Sequence, residues 1–523
     1  MPVAVGNSYS VASGLTIHAG RTNLIAGAAA PTLNEHLDFK VFQRVGTSKN
    51  VPVTGAYSGT PSLVQARAAD ADSGSPITAW TTVATNPTGG TYSGVLGVPE
   101  GMWYKLQVRD GVNTALVTAG ANKFGVGVCI VEIGQSNMAN FGTTSSTGYK
   151  YPLGDPNVVE FYTGNNTFRR ISRINDTFAP NTLYGGVGGW TTAGTSGVSA
   201  DGYVYVGNLV SEGLNLPVAV LNKAVSGSSI ASWTTTPTYW NAFVTSLNLM
   251  GGDFEIALWF QGEYEANAGV SAASYKGSLG VLHQQMKTQT GRGTTDLHFC
   301  IIGLGPQGIA SSFSGGSDLK IGPIRAAQTE YCNETAGAHY VTSAMDTRTA
   351  SDQVHILGDT DGDNKLGRRY AKTILSALGV GLPASGPRAA SAAHTGGYID
   401  LTLAHTGGTA LMDGIGGSGS GLTGFRVFDD GAAGALLGYT TSITSSTNVR
   451  LTLGGTPVGP FRVDYGMTNS PHSSDTTVSD TVPVYSTILC DNAFYHNGAN
   501  ASPFGLSTTG SPLQPFSAMT VTG

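Results

Sequence analysis

An apolar, β-branched run from Val126 to Ile133 is followed at once by Gly134, Gln135, Ser136, Asn137 and Met138. The run has the length of a buried strand, and the tail has the composition of a tight turn. A serine on a turn that leaves a buried strand and opens toward a helix has backbone N–H groups around it and the positive end of a helix dipole beside it. α/β hydrolases place a nucleophile there, which makes Ser136 the candidate nucleophile. Such a serine needs a base, and the base needs a carboxylate to fix its tautomer. Ser351-Asp352-Gln353-Val354-His355 contains both, three residues apart. In this reading His355 takes the proton of Ser136 and Asp352 orients His355. With ten histidines in the chain, one Asp-x-x-His is weak support alone, and a surface loop explains it equally well. Its place just before the last helix of the region that Ser136 opens adds weight.

Acyl transfer also needs donors for an oxyanion. The backbone N–H of Ser136 is the first. Gly227, in Ala224-Val225-Ser226-Gly227-Ser228-Ser229-Ile230, can bring a second N–H close, since glycine permits close approach; an ordinary turn glycine is the competing reading. Gln261, in Trp259-Phe260-Gln261-Gly262-Glu263, can donate its side-chain amide, against the alternative of a loop anchor. Asn137, Trp233 and Glu263 are candidate substrate contacts. Trp190, Trp233 and Tyr239 offer aromatic faces for sugar rings, with core packing at least as good an account of Trp233. His283, His298 and His339 lie in helix or strand patterns without ligand spacing and read as structural.

The elements that must position these residues differ along the chain. Residues 1–122 show short alternating runs (Asp38–Val45, Pro61–Arg67, Ile77–Val83, Thr91–Leu96, Met102–Arg109) separated by Gly, Pro, Asn and Thr, the pattern of a β-sandwich. Residues 123–384 alternate apolar runs with helical patterns. Strands are expected at Val126–Ile133, Pro217–Leu221, Glu255–Phe260, His298–Gly303 and His339–Thr342. Helices are expected at Tyr203–Glu212, Thr238–Met250, Ala272–Thr288, Pro323–Thr335 and Lys365–Leu378. Alternation of this kind means a parallel sheet covered by helices, with ligands beyond the carboxyl ends of its strands. The Gly/Thr-rich stretch 140–200 reads as long loops around the site. Residues 385–523 return to β alternation and form a second sandwich.

Charged residues make up 11% of the 523, against about 25% in ordinary soluble domains. There are 74 glycines, and 40% of the residues are hydrophobic, enough for packed cores rather than disorder. A net charge of −6 without a dense Lys/Arg cluster argues against a nucleic-acid binder. No apolar run approaches the roughly 20 residues of a membrane-spanning helix. The four cysteines lack CxxC spacing and read as free thiols rather than metal ligands. No secretory leader is visible, and the composition suits an extracellular or virion-associated protein. Asp359, Asp361 and Asp363 resemble a calcium loop, but Tyr370 stands where the bidentate glutamate is needed, so no metal is assigned.

Taken in order, the blocks Gly134-Gln135-Ser136-Asn137-Met138, Ser226-Gly227-Ser228-Ser229-Ile230 with Trp233, Trp259-Phe260-Gln261-Gly262-Glu263 and Asp352-Gln353-Val354-His355 resemble the SGNH hydrolase superfamily. Within it they are most similar to the sialate O-acetylesterase and acetylxylan-esterase-like carbohydrate esterases. Ile324-Arg325-Ala326-Ala327-Gln328 resembles a recurrent helix start of that family, whereas Ser226 departs from its usual glycine. The resemblance implies an α/β/α sandwich with a short parallel sheet flanked by N- and C-terminal β-sandwiches. It also implies a serine esterase that removes O-acetyl groups from a carbohydrate without a cofactor. A non-catalytic glycan-binding or phage-tail-type protein, and a lipase or thioesterase, are the rival uses of such a fold.

Overall fold

The computed structural model describes residues 9–11, 15–17, 29–139, 157–162, 167–170, 202–307, 320–347, 349, 354–356, 365–381, 385–413, 419–468, 488–491 and 511–523. The chain forms two compact units. One comprises residues 1–128 with the short pieces 167–169 and 215–217, and the other comprises the remainder.

The first unit is built mainly from antiparallel strands, with Lys40–Gln43 running parallel to residues 124–127. Ser48–Ala56 pairs with Thr91–Pro99, and Leu63–Asp70 pairs with Gly101–Asp110, which in turn holds Val117–Ala119. Alternation sorts the side chains. Val64, Ala66, Ala68, Leu106 and Val108 point into a core shared with Val51, Val53, Leu96 and Val98. The intervening residues, Gln65, Arg67, Lys105, Gln107 and Arg109, occupy the opposite face and are partly exposed. The strand Ser48–Ala56 had no sequence signal because Pro52 and Gly55 interrupt it. Gly55 is required there: a Cβ would lie 2.0 Å from the Thr32 carbonyl oxygen.

In the second unit, which the long strand Phe124–Gly134 enters at Cys129, the strands lie in the order Val158–Tyr162, Val218–Asn222, Phe124–Gly134, Ile256–Phe260, His298–Gly303, Ala338–Ser343. Phe124–Gly134 pairs in parallel with Ile256–Phe260, from Ile130 opposite Ile256 to Gly134 opposite Phe260. Parallel pairing continues through His298–Gly303 to Ala338–Ser343, and Val158–Tyr162 pairs in parallel with Val218–Asn222. The central strands are buried throughout, as a sheet covered on both faces requires. Helices Gly202–Leu214, Thr238–Met250, Ala272–Thr290 and Gly322–Glu334 lie between successive strands, and Gly367–Ala377 follows the last of them. The strand leading to Ser136 thus sits between the two strands that lead to the Gly227 turn and to Gln261. This is a topological switch point, where such sheets hold their ligands.

The chain then forms two four-stranded antiparallel sheets. One holds Arg388–Thr395, Tyr398–Ala404, Asn448–Leu453 and Tyr439–Ile443. The other holds Ala435–Leu437, Phe425–Asp429, Phe461–Tyr465 and Phe516–Thr520. Their inner faces supply Ile399, Leu401, Val427, Val449, Leu451, Val463 and Tyr465 to one core, which Met345 from the α/β part also enters. The expected fold class, an α/β layer with a parallel sheet and flanking β structure, is the one found. Arg325, fully buried, donates from Nε to the Leu304 carbonyl (2.9 Å) and from Nη1 to the carbonyls of Gly466 (2.9 Å) and Thr468 (2.5 Å). It fastens the helix Gly322–Glu334 to the sheet on one side and to the C-terminal β structure on the other. None of the four cysteines forms a disulfide among the described residues.

Candidate active site

Gly134 ends its strand with φ +140°, and a Cβ there would fall 2.5 Å from the Phe260 carbonyl oxygen. Only glycine lets the chain turn this close to its neighbour. The Gly134 carbonyl accepts from Val225 N–H (3.0 Å) and from Ser228 Oγ (3.0 Å), so the turn bearing Gly227 is tied to the turn bearing Ser136. Ser136 begins a single helical turn, Ser136–Ala139, and is 5% exposed. The N–H groups of Met138 and Ala139 donate back to the Gln135 carbonyl (2.9 and 2.8 Å). Those of Ser136 and Asn137 have no acceptor among the described residues, as the start of a helix requires. Gly227 is exposed at φ +69°, its N–H likewise without an acceptor among the described residues. Two of the three expected oxyanion donors therefore stand open.

The third does not. Gln261 is fully buried. Its Nε2 donates to the Ser228 carbonyl (3.1 Å) and to the Glu265 carboxylate, and its Oε1 accepts from Tyr275 Oη (2.9 Å). Both amide hydrogens are taken, so the expectation of a side-chain oxyanion donor is corrected: Gln261 braces the Gly227 turn from beneath. Glu265 completes the brace, accepting from Ile230 N–H at 2.7 Å. Burial raises its pKa. Sequence reasoning missed Glu265. The only signal was a second acid two residues after Glu263, and its partner lies 35 residues upstream.

Asn137 was expected to meet substrate, and so was Glu263; both turn inward instead. Asn137 Nδ2 donates to Glu263 Oε1 (2.6 Å) and to the Val354 carbonyl (3.3 Å), while its Oδ1 accepts from Ile356 N–H (3.1 Å). The amide beside Ser136 thus grips the backbone on both sides of His355. Glu263 is 2% exposed and its Oε2 has no partner among the described residues. Burial raises its pKa, opposed by the Asn137 hydrogen bond and by the nearby His355. Gln135 contributes from the same turn: its Oε1 accepts from the N–H groups of Gly262 and Tyr264 at 3.4 Å, at the start of the helix Glu263–Ala268.

Trp233, proposed from sequence as a sugar contact, is core. It is fully buried, its Nε1 donates to Ser228 Oγ (3.1 Å), and its ring meets Trp259 edge-on at 6.0 Å. His283 is structural, its Nδ1 2.9 Å from Tyr331 Oη. His298 and His339 contact each other, Nδ1 to Nε2, at 3.0 Å. Asp352, Trp190 and the acids Asp359, Asp361 and Asp363 lie outside the described residues.

Residues 127–376 match the family model described as carbohydrate esterase, sialic acid-specific acetylesterase. Among solved structures, a carbohydrate acetylesterase from Xanthomonas citri superposes with a TM-score of 0.60 at 19% identity, covering 93% of this chain and 99% of that one. A protein from Arabidopsis thaliana gives a TM-score of 0.35 at 17% identity, covering 48% of this chain and 98% of its own. A family two carbohydrate esterase from Clostridium thermocellum, solved with cellohexaose, gives 0.29 at 12%, covering 64% and 90%. No curated protein matches the sequence. Residues 127–376, just under half of the chain, thus carry the match to the sialic acid-specific acetylesterase family of carbohydrate esterases, and the match together with the shared fold supports a carbohydrate O-acetylesterase.

Proposed function

We propose that the acetyl group is removed through an acyl-enzyme on Ser136. Ser136 Oγ attacks the acetyl carbonyl carbon while His355 takes its proton. The tetrahedral oxyanion is held by the N–H groups of Ser136 and Gly227. The C–O bond to the sugar then breaks, and His355 returns the proton to the departing hydroxyl. Water, deprotonated by His355, attacks the acetyl-serine and releases acetate. Asp352, three residues before His355 in the sequence, orients the imidazole. Gln261 and Glu265 hold the Gly227 turn rather than touching the oxyanion.

One observation carries this reading. The side chain next to the nucleophile hydrogen-bonds the residues on either side of the histidine, a connection that a protein binding glycans without chemistry does not need. The substrate is an acetylated carbohydrate, and the protein works outside the cell or on a virion. An acyl-chain series of nitrophenyl esters tests the acyl preference. Acetyl is expected to react fastest, and rates that rise toward octanoyl would mark a lipase or thioesterase instead. Mass spectrometry of acid-quenched enzyme is expected to find one acetyl group on the peptide bearing Ser136. An acetyl group elsewhere would overturn the mechanism.

A further inference from the structure

The outward face of the sheet in the first unit carries a cluster that the esterase chemistry does not use. Gln65 lies opposite Arg109 and Arg67 opposite Gln107 across the Leu63–Asp70 and Gly101–Asp110 pair, with Lys105 next along the same face. The guanidinium carbons of Arg67 and Arg109 lie 4.5 and 4.3 Å from the centroid of the Trp80 ring. Each arginine spends its Nε on a glutamine: Arg67 on Gln107 Oε1 (2.7 Å), Arg109 on Gln65 Oε1 (2.9 Å). The two amide oxygens are thereby used within the cluster. What is left to offer a ligand is donors alone: the Nη groups of both arginines, the Nε2 groups of both glutamines and the Lys105 ammonium. None of these has an acceptor among the described residues.

The acids at the ends of these strands, Asp70 and Asp110, fall by alternation on the other face of the pair, with Val64, Ala66, Ala68, Leu106 and Val108. Asp70 Oδ1 accepts from Ser73 N–H and Ser73 Oγ, both at 2.7 Å, and Asp110 Oδ1 accepts from the N–H groups of Val112 (2.7 Å) and Asn113 (2.9 Å). Three cations on one sheet face, in a chain of net charge −6, form a local positive field around a partly exposed indole. Guanidinium forks match planar carboxylates, and an indole suits the flat face of a pyranose ring.

We propose that this face binds a carboxylate-bearing polysaccharide, a uronic-acid chain lying across Trp80 with its carboxylates on Arg67, Arg109 and Lys105. The choice of a saccharide among anions rests on the assignment of the chain as a carbohydrate O-acetylesterase. The test is affinity electrophoresis of the full-length protein in gels containing polygalacturonate, unsubstituted xylan or single-stranded DNA, with nitrophenyl acetate hydrolysis measured in parallel. Wild type is expected to be retarded by polygalacturonate and not by xylan, less so as salt rises. The Arg67→Gln/Arg109→Gln double variant and Trp80→Ala are expected to lose at least about tenfold in affinity while hydrolysing nitrophenyl acetate at the wild-type rate. Should either unfold, Lys105→Gln and Arg67→Gln taken singly are expected to weaken retardation by a smaller factor. Wild-type hydrolysis without retardation, or equal retardation of wild type and variants, overturns the inference and leaves the esterase assignment standing. Equal or tighter binding of single-stranded DNA overturns the saccharide. Absence of hydrolysis would instead count against the acyl-enzyme reading.

Discussion

Asn137 illustrates how little of an active site is local. In the sequence it is a polar residue beside a nucleophile, and substrate contact is the natural inference. In the structure its amide spans 217 residues to reach the Val354 carbonyl and 219 to reach Ile356 N–H. Nothing in the residues near either end announces that pairing. The strand end and turn that carry Ser136 were legible because their signal is local, a buried apolar run ending in Gly134 and small polar residues. Gln261 was misread in part for the same reason as Asn137: one acceptor, the Ser228 carbonyl, lies 33 residues away, while the other, Glu265, is four residues on. Asn137→Ala is expected to release the His355 backbone and to lower kcat by about 10²-fold, with KM changed by less than about threefold, because misplacing a base by an ångström has that effect. A rise in KM at unchanged kcat would restore Asn137 to substrate binding; steady-state kinetics on an acetylated sugar decides. Glu263, buried and bonded to Asn137 Nδ2 through Oε1, supports Asn137 and through it the same segment.

At the level of elements, the pattern of long apolar and amphipathic runs told most. The helix Thr238–Met250 and the strand His298–Gly303 have the bounds that periodicity assigns them. Strands carrying residues that disfavour strands gave no signal: Ser48–Ala56 with its Pro52 and Gly55, and Arg388–Thr395, dominated by alanine, whose pairing with Tyr398–Ala404 is supplied by the partner strand. Helix Glu263–Ala268, of six residues, is too short to show a period. The junction of strand and nucleophile turn tolerates least. Gly134→Ala would combine an unfavourable φ of +140° with a contact of 2.5 Å to backbone. Neither can relax without moving the strand Ile256–Phe260. A loss of more than about 2 kcal/mol is expected in urea unfolding; a change under about 0.5 kcal/mol would contradict the tight approach.

For the molecule as a whole, the buried titratable groups set a direction for acid stability. Burial lowers the pKa of His36 and His339 to about 4 and that of His283 to about 3, from 6.5. The unfolded chain binds these protons first as the pH falls, so stability is full above about 6.5 and declines below it. Asp346 adds a second stage. Burial pushes its pKa up, but Arg369, bonded at 2.8 and 2.6 Å, and Lys365 outweigh burial and hold it to about 2, from 3.8. That contribution is lost between pH 3.8 and 2. Melting temperatures are expected to fall from pH 7 toward 3, and Asp346→Asn is expected to be less stable at pH 7 and less sensitive below pH 4. Above the level of single groups, the sheet brings the three turns around Ser136 together by strand order, and Asn137 adds the His355 segment. The measurement that bears most directly on this arrangement is acetate release from an acetylated polysaccharide by wild type and by folded Ser136→Ala and His355→Ala. Both variants are expected to fall by at least about 10³-fold; a rate for Ser136→Ala equal to that of wild type would contradict the account at its centre.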